Sequence, residues 1–105
     1  MTTREIAGKT VHFDEEGFMV DPAEWSPEVA EALAAEIGLN ELTPTHWQVI
    51  EFTRADFAAR GEAPGLRRIK VEGGIPTKEL YQLFPKKPAK KVAYVSGLGK
   101  PTGCI

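Results

Sequence analysis

Residues 43–61 read Thr-Pro-Thr-His-Trp-Gln-Val-Ile-Glu-Phe-Thr-Arg-Ala-Asp-Phe-Ala-Ala-Arg-Gly. Thr43 offers a side-chain oxygen to the first free amides of a helix, and Pro44 suits the first helical position. Gly61 supplies a left-handed stop. The spacing predicts one long helix ending near Arg60, with Trp47, Ile50, Phe57 and Ala58 on its apolar face. No other segment carries so long a pattern, so this is the longest helix expected.

On its N-terminal side, Ser26-Pro27 repeats the start signal. Val29, Leu33 and Ile37 then recur at helical spacing up to Gly38. The first twenty residues read as strands instead. Arg4–Ile6 and Thr10–Phe13 flank a break at Ala7-Gly8-Lys9, Asp14–Gly17 is a turn, and Phe18–Val20 resumes the apolar run. On the C-terminal side, Leu66–Val71 fits either a short helix or an extended piece. Thr77 can cap a helix carrying Leu80, Tyr81, Leu83 and Phe84, which stops before Pro85. Pro88 can start a last helix running to about Ser96. The fold class expected is α+β: a small N-terminal antiparallel β-meander packed on about five helices.

The chain has 105 residues, of which 42% are hydrophobic and 27% charged, which suits one globular domain. No apolar run reaches the roughly 20 residues of a bilayer span. Met1–Lys9 has no apolar core of the signal-peptide kind, so a cytoplasmic location is expected and no membrane partner. The net charge of −2 hides a division: residues 1–59 hold 12 acidic and 3 basic side chains, residues 60–105 hold 3 and 10. One reading is a solvated surface whose two ends attract each other. The other is a basic end, with Arg67, Arg68, Lys70, Lys86, Lys87, Lys90 and Lys91, that steers towards an acidic partner. The stretch holds few aromatics, so direct nucleic-acid binding is not expected.

Residues 97–105 read Gly-Leu-Gly-Lys-Pro-Thr-Gly-Cys-Ile, with three glycines and one proline. They are expected to form a mobile arm on a globular domain of residues 1–96. Cys104 is the single cysteine, so no internal disulfide and no cysteine-based metal site can form. Fully extended, nine residues reach about 30 Å. A thiol on such an arm can enter a cleft of another protein, and the chemistry open to it is exchange of sulfane sulfur. The neighbouring chain-end carboxylate disfavours the thiolate, and Lys100 offsets this only if the arm folds back. Activation therefore falls largely to the partner's pocket. His12 and His46, far away in sequence, read as structural residues. Trp25 and Trp47 read as core or near-core. No metal or cofactor is expected.

The ending resembles the C-terminal arm of the DsrC/TusE family of sulfur-relay proteins, which runs Gly-Leu-Pro-Lys-Pro-Thr-Gly-Cys-Val or similar. Asp14–Phe18, Trp25, Leu42-Thr43, His46-Trp47, Leu83–Pro85 and Pro88-Ala89 extend the likeness over nearly the whole chain. The resemblance implies a helical body with a β-meander. It implies that Cys104 is the catalytic residue, carrying persulfide sulfur as a sulfurtransferase does in a relay, without turnover of its own. Gly97, Gly99, Lys100, Pro101 and Gly103 are then the hinge and motif of the arm. Two departures stand out. Gly99 replaces a proline, and Ala93 stands where members serving dissimilatory sulfite reductase carry a second cysteine. One thiol favours the TusE-like branch. The partners implied there are a TusBCD-like sulfur donor complex and the tRNA 2-thiouridylase as acceptor. The alternative is a DsrC-like relay or regulatory protein of dissimilatory sulfur metabolism, with the sulfite reductase as partner.

Overall fold

Ala7 and Gly8 both adopt positive φ, 52° and 80°. A two-residue loop of that hand matches the twist of an antiparallel strand pair. It joins β1 (Thr2–Ile6) to β2 (Lys9–Phe13), with Thr2 opposite Phe13 and Ile6 opposite Lys9. The computed structural model describes residues 2–100. The third run of the expected meander is reduced to one bridge, Met19 to Phe13. Phe18 and Met19 are both buried but in different clusters, Phe18 with Ala93 and Leu98 and Met19 with the hairpin. The Asp14 carboxylate fixes the bend instead, accepting from the amides of Glu16 (2.9 Å) and Phe18 (3.0 Å).

Five helices follow: α1 (Pro27–Glu36), α2 (Pro44–Arg60), α3 (Leu66–Val71), α4 (Thr77–Leu83) and α5 (Pro88–Val95). The α+β class with five helices is therefore the observed architecture. The predicted caps of the first two hold. Ser26 accepts from the Val29 amide, and Thr43 from the His46 amide. Leu66–Val71, ambiguous in sequence, is helical. Val29 and Leu33 of α1 close over the hairpin with Val11 and Phe13, while Ala30, Ala34, Ile50, Leu80 and Val92 join the helices in a second cluster. Among the described residues no helix is long and apolar enough to cross a membrane.

The buried line of α2 differs from the expected one. It runs His46, Val49, Ile50, Thr53, Asp56; Trp47 and Phe57 are half-buried and Ala58 is exposed. Polar side chains are tolerated there because distant residues satisfy two of them. His46 Nδ1 accepts from the Thr43 amide at 3.0 Å, so the proton sits on Nε2, which donates to the Leu83 carbonyl at 2.9 Å. Its ring stands edge-on to Phe84. His46 thus links the start of α2 to the end of α4, the structural role expected for it.

The Asp56 carboxylate, 5% exposed, accepts from Arg68 Nε at 3.0 and 2.9 Å, from Arg68 Nη2 at 2.7 Å and from Arg60 Nη1 at 3.1 Å. These bonds, Arg68's foremost, hold its pKa below the ordinary carboxylate value against the opposing effect of burial. An acid whose pKa falls on folding contributes stability that is complete above its unfolded value of about 4 and is lost as pH falls through the folded value. Asp56→Asn should therefore destabilise the protein at pH 7. In urea unfolding repeated from pH 7 down to pH 2, the gap to wild type should close below about pH 4.

Candidate functional site

The last helix ends in a way that leaves none of its final carbonyls free. Gly97 adopts φ +74°, and its amide donates to the Tyr94 carbonyl at 3.2 Å; the Leu98 amide donates to the Ala93 carbonyl at 3.0 Å. This pair of bonds is a Schellman cap, with Gly97 in the left-handed position and Leu98 supplying the apolar contact. The Ser96 amide takes the Val92 carbonyl at 2.9 Å. Two side chains from other elements take the rest. Trp25 Nε1 donates to the Val95 carbonyl at 2.8 Å, and Arg54 Nη1 to the Ser96 carbonyl at 2.7 Å. Arg54 Nη2 reaches the Pro22 carbonyl at 3.2 Å, and the guanidinium lies 4.1 Å from the Trp25 ring centroid. Burial lowers the Arg54 pKa, but a guanidinium stays charged under all ordinary conditions. The result is a rigid socket at the root of the tail.

Residues 97 and 98 therefore belong to the packed body, which differs from the sequence-based boundary at Gly97. Leu98 is 1% exposed and packs with Phe18, Ala63 and Ala93. Gly97 lies against the Trp25 side chain, where an added Cβ would sit 2.5 Å from Cδ1. The three glycines and one proline that suggested irregular structure include one glycine that the cap itself requires. Gly99 is half-buried, and an added Cβ there would meet no atom of the described residues within 4 Å beyond its chain neighbours. Lys100 Nζ lies 3.4 Å from the Glu16 carboxylate, on the bend between β2 and Phe18. Pro101, Gly103 and Cys104 lie outside the described residues.

The structure thus brings Gly97, Gly99 and Lys100 together at the Trp25–Arg54 socket and the Glu16 bend. Sequence reasoning placed Trp25 in or near the core but gave it no link to the tail, and Arg54 escaped notice. One signal was available: Arg54 is one of only three basic residues in the first 59. Ala93 is 1% exposed and in contact with Leu98, so a thiol at that position would face the start of the tail. Ser96 Oγ is buried and makes no hydrogen bond among the described residues.

Two concavities flank this region. One of about 380 Å³ is bordered by Arg4, Glu16, Phe18, Lys90, Lys91 and Tyr94, next to the socket. Its Tyr94 hydroxyl donates to Glu36 at 2.8 Å, and Arg4 also pairs with Glu36. Burial first, then the bond to Glu36, raises the Tyr94 pKa, so the phenol is a fixed donor there. The other, of about 730 Å³, lies between α3 and α4 beside Arg67, Val71 and Tyr81, and contains none of residues 97–100. Among the described residues no three His, Cys, Asp or Glu side chains converge as metal ligands. The described body offers a scaffold for the tail and no assembled catalytic group set.

The family model described as DsrC like protein matches residues 5–105. The gamma subunit of dissimilatory-type sulfite reductase from Nitratidesulfovibrio vulgaris is 36% identical over 98 residues, spanning 93% of each chain. The sulfurtransferase TusE of Salmonella paratyphi A is 35% identical over 107 residues, covering 93% of this chain and 95% of its own. The solution structure of the Pyrobaculum aerophilum DsrC, gamma subunit of dissimilatory sulfite reductase, superposes with a TM-score of 0.83 at 36% identity. That match covers 99% of this chain and 95% of the other.

Proposed function

The chain belongs to the DsrC-like family of sulfur-relay proteins, and on that premise we propose that it is a single-thiol, TusE-like sulfur carrier. Cys104 accepts persulfide sulfur from a TusBCD-like donor and passes it on for 2-thiouridine formation in tRNA. In the first step the Cys104 thiolate attacks the outer sulfur of the donor persulfide. A new S–S bond forms on Cys104, the old one breaks, and the donor leaves as a thiolate. In the second step an acceptor thiolate takes the outer sulfur and Cys104 is released as the thiolate. No net oxidant is needed, because one S–S bond is exchanged for another.

The observation that carries this reading is a lone cysteine six residues beyond a firmly packed Leu98. From Leu98 onward, six residues span at most about 20 Å. We place the movable segment after Leu98, with Gly99–Gly103 as its joint and reach. The setting is cytoplasmic, where thiols are kept reduced. Ala93 favours the tRNA route over the dissimilatory one, since a chain with one thiol cannot hold an intramolecular disulfide. The dissimilatory alternative draws on the likeness to the sulfite reductase gamma subunit.

The test is reconstitution. Cysteine desulfurase, the donor complex, the thiouridylase and substrate tRNA are combined with and without this protein. Formation of 2-thiouridine that depends on the protein is the expected result. No thiouridine, together with stimulation of sulfite reduction by dissimilatory sulfite reductase, would favour the alternative.

A further inference from the structure

Residues 86–100 hold five lysines and no aspartate or glutamate. They comprise the entry to α5, the helix itself and the socket that roots the tail. The basic half of the chain is only partly neutralised; Arg67, Lys70 and Lys78 have no carboxylate partner among the described residues but are spread over α3 and α4. Arg60 and Arg68 are tied to Asp56, so their charge is spent internally. Lys86, Lys87 and Lys90 have no carboxylate partner among the described residues. Lys91 Nζ donates to the Pro85 carbonyl, which leaves its charge unneutralised. Glu16, the carboxylate bordering the adjacent 380 Å³ cavity, is already engaged by Lys100, and Glu36, the partner of the cavity's Arg4 and Tyr94, is engaged by both.

The backbone adds a second observation. Lys86 and Lys87 are consecutive and both left-handed, with φ of 61° and 48°. Glycine or asparagine takes that conformation more cheaply, and side chains held there against local preference cluster at functional positions. Both lysines are exposed, so packing does not account for the choice of residue. At 1.5 Å rise per residue, Lys90 stands about 9 Å along the helix from Ser96. A protein that touches this face has the root of the tail beside it.

We propose that Lys86, Lys87, Lys90 and Lys91 form the docking surface for a protein whose sulfur-bearing pocket is rimmed by carboxylates. This rests on the carrier reading and specifies how the donor is met. The acidic residues 1–59 repel a polyanion at long range, while a local acidic rim meets only the lysine face; this favours a protein over an RNA. Such complementarity acts chiefly on the association rate and fades as salt screens it.

The test measures association of the reduced protein with a TusBCD-type donor complex by stopped-flow, at low and at 0.2 M salt. Binding needs no sulfur transfer, so the result is independent of persulfide chemistry; loading from inorganic polysulfide, read by mass, tests the carrier reading separately. The wild-type rate should fall about tenfold or more with salt. The variant Lys86→Glu/Lys87→Glu/Lys90→Glu should be slower by at least that factor at low salt and lose the salt dependence, while polysulfide loading is unchanged. Lys86→Gly/Lys87→Gly removes two charges and relieves both left-handed positions, so it guards against misfolding and should also be slower. Charge reversal at Lys9, Lys70 and Lys78, on other elements, should have a much smaller effect. Unchanged association of the α5 variants overturns the proposal. So does absence of binding by the wild type, or a loss confined to binding of bulk tRNA.

Discussion

A Cys104→Ser variant should support no sulfur transfer above the level seen without the protein, while unfolding at the wild-type midpoint. The hydroxyl that replaces the thiol does not ionise at neutral pH and forms no S–S bond, so neither step of the exchange can occur. The substitution changes one atom and leaves the packing and hydrogen bonds among residues 2–100 in place, so the unfolding midpoint is expected to stay at the wild-type value. The two readouts together separate a lost reaction from a lost fold. A serine variant that still delivers sulfur would mean that the cysteine is not the carrier. Thermal unfolding in parallel with the reconstituted thiolation assay checks both.

Gly97→Ala should cost the most stability of any single methyl group added to the chain end. A non-glycine residue at φ +74° costs roughly 1–2 kcal/mol. The new Cβ would also sit 2.5 Å from Trp25 Cδ1 and 2.8 Å from its Cβ and Cγ. Trp25 cannot retreat freely, because its indole holds the Val95 carbonyl and lies under Arg54. Forced overpacking of this kind costs about 1–3 kcal/mol. A total of about 2–5 kcal/mol lowers the midpoint of a domain this size by roughly 10–40 °C. Gly99→Ala is the control. It has no positive φ, and among the described residues no atom beyond its chain neighbours lies within 4 Å of an added Cβ, so its change should stay within about 0.5 kcal/mol. Differential scanning calorimetry of the two variants gives the comparison. Equal midpoints would mean that the Schellman cap does not hold the root of the tail.

What the sequence disclosed and what it concealed divide along chain distance. The caps at Ser26 and Thr43 and the stops at Gly38 and Gly61 are local chemistry, and all four positions were legible. The third strand was not, because apolar residues at 18–20 do not reveal that the bend held by Asp14 leaves a single bridge, Met19 to Phe13. Ala58 was placed on the buried face of α2, and Asp56 was not. Asp56 is buried because Arg68, twelve residues on, closes over it. The tail shows both cases. Gly97-Leu98 after a helix is a local Schellman signature and could have been read as one. The reach of Trp25 to Val95, across 70 residues, had no local trace.

The most direct test of the carrier role is intact mass followed by proteolytic mapping of wild-type protein exposed to cysteine desulfurase and a sulfur donor. The account predicts a gain of one sulfur, about 32 Da, confined to the peptide containing Cys104 and removed by a thiol reductant. A protein whose Cys104 peptide stays unmodified under conditions that load a known persulfide acceptor would contradict it.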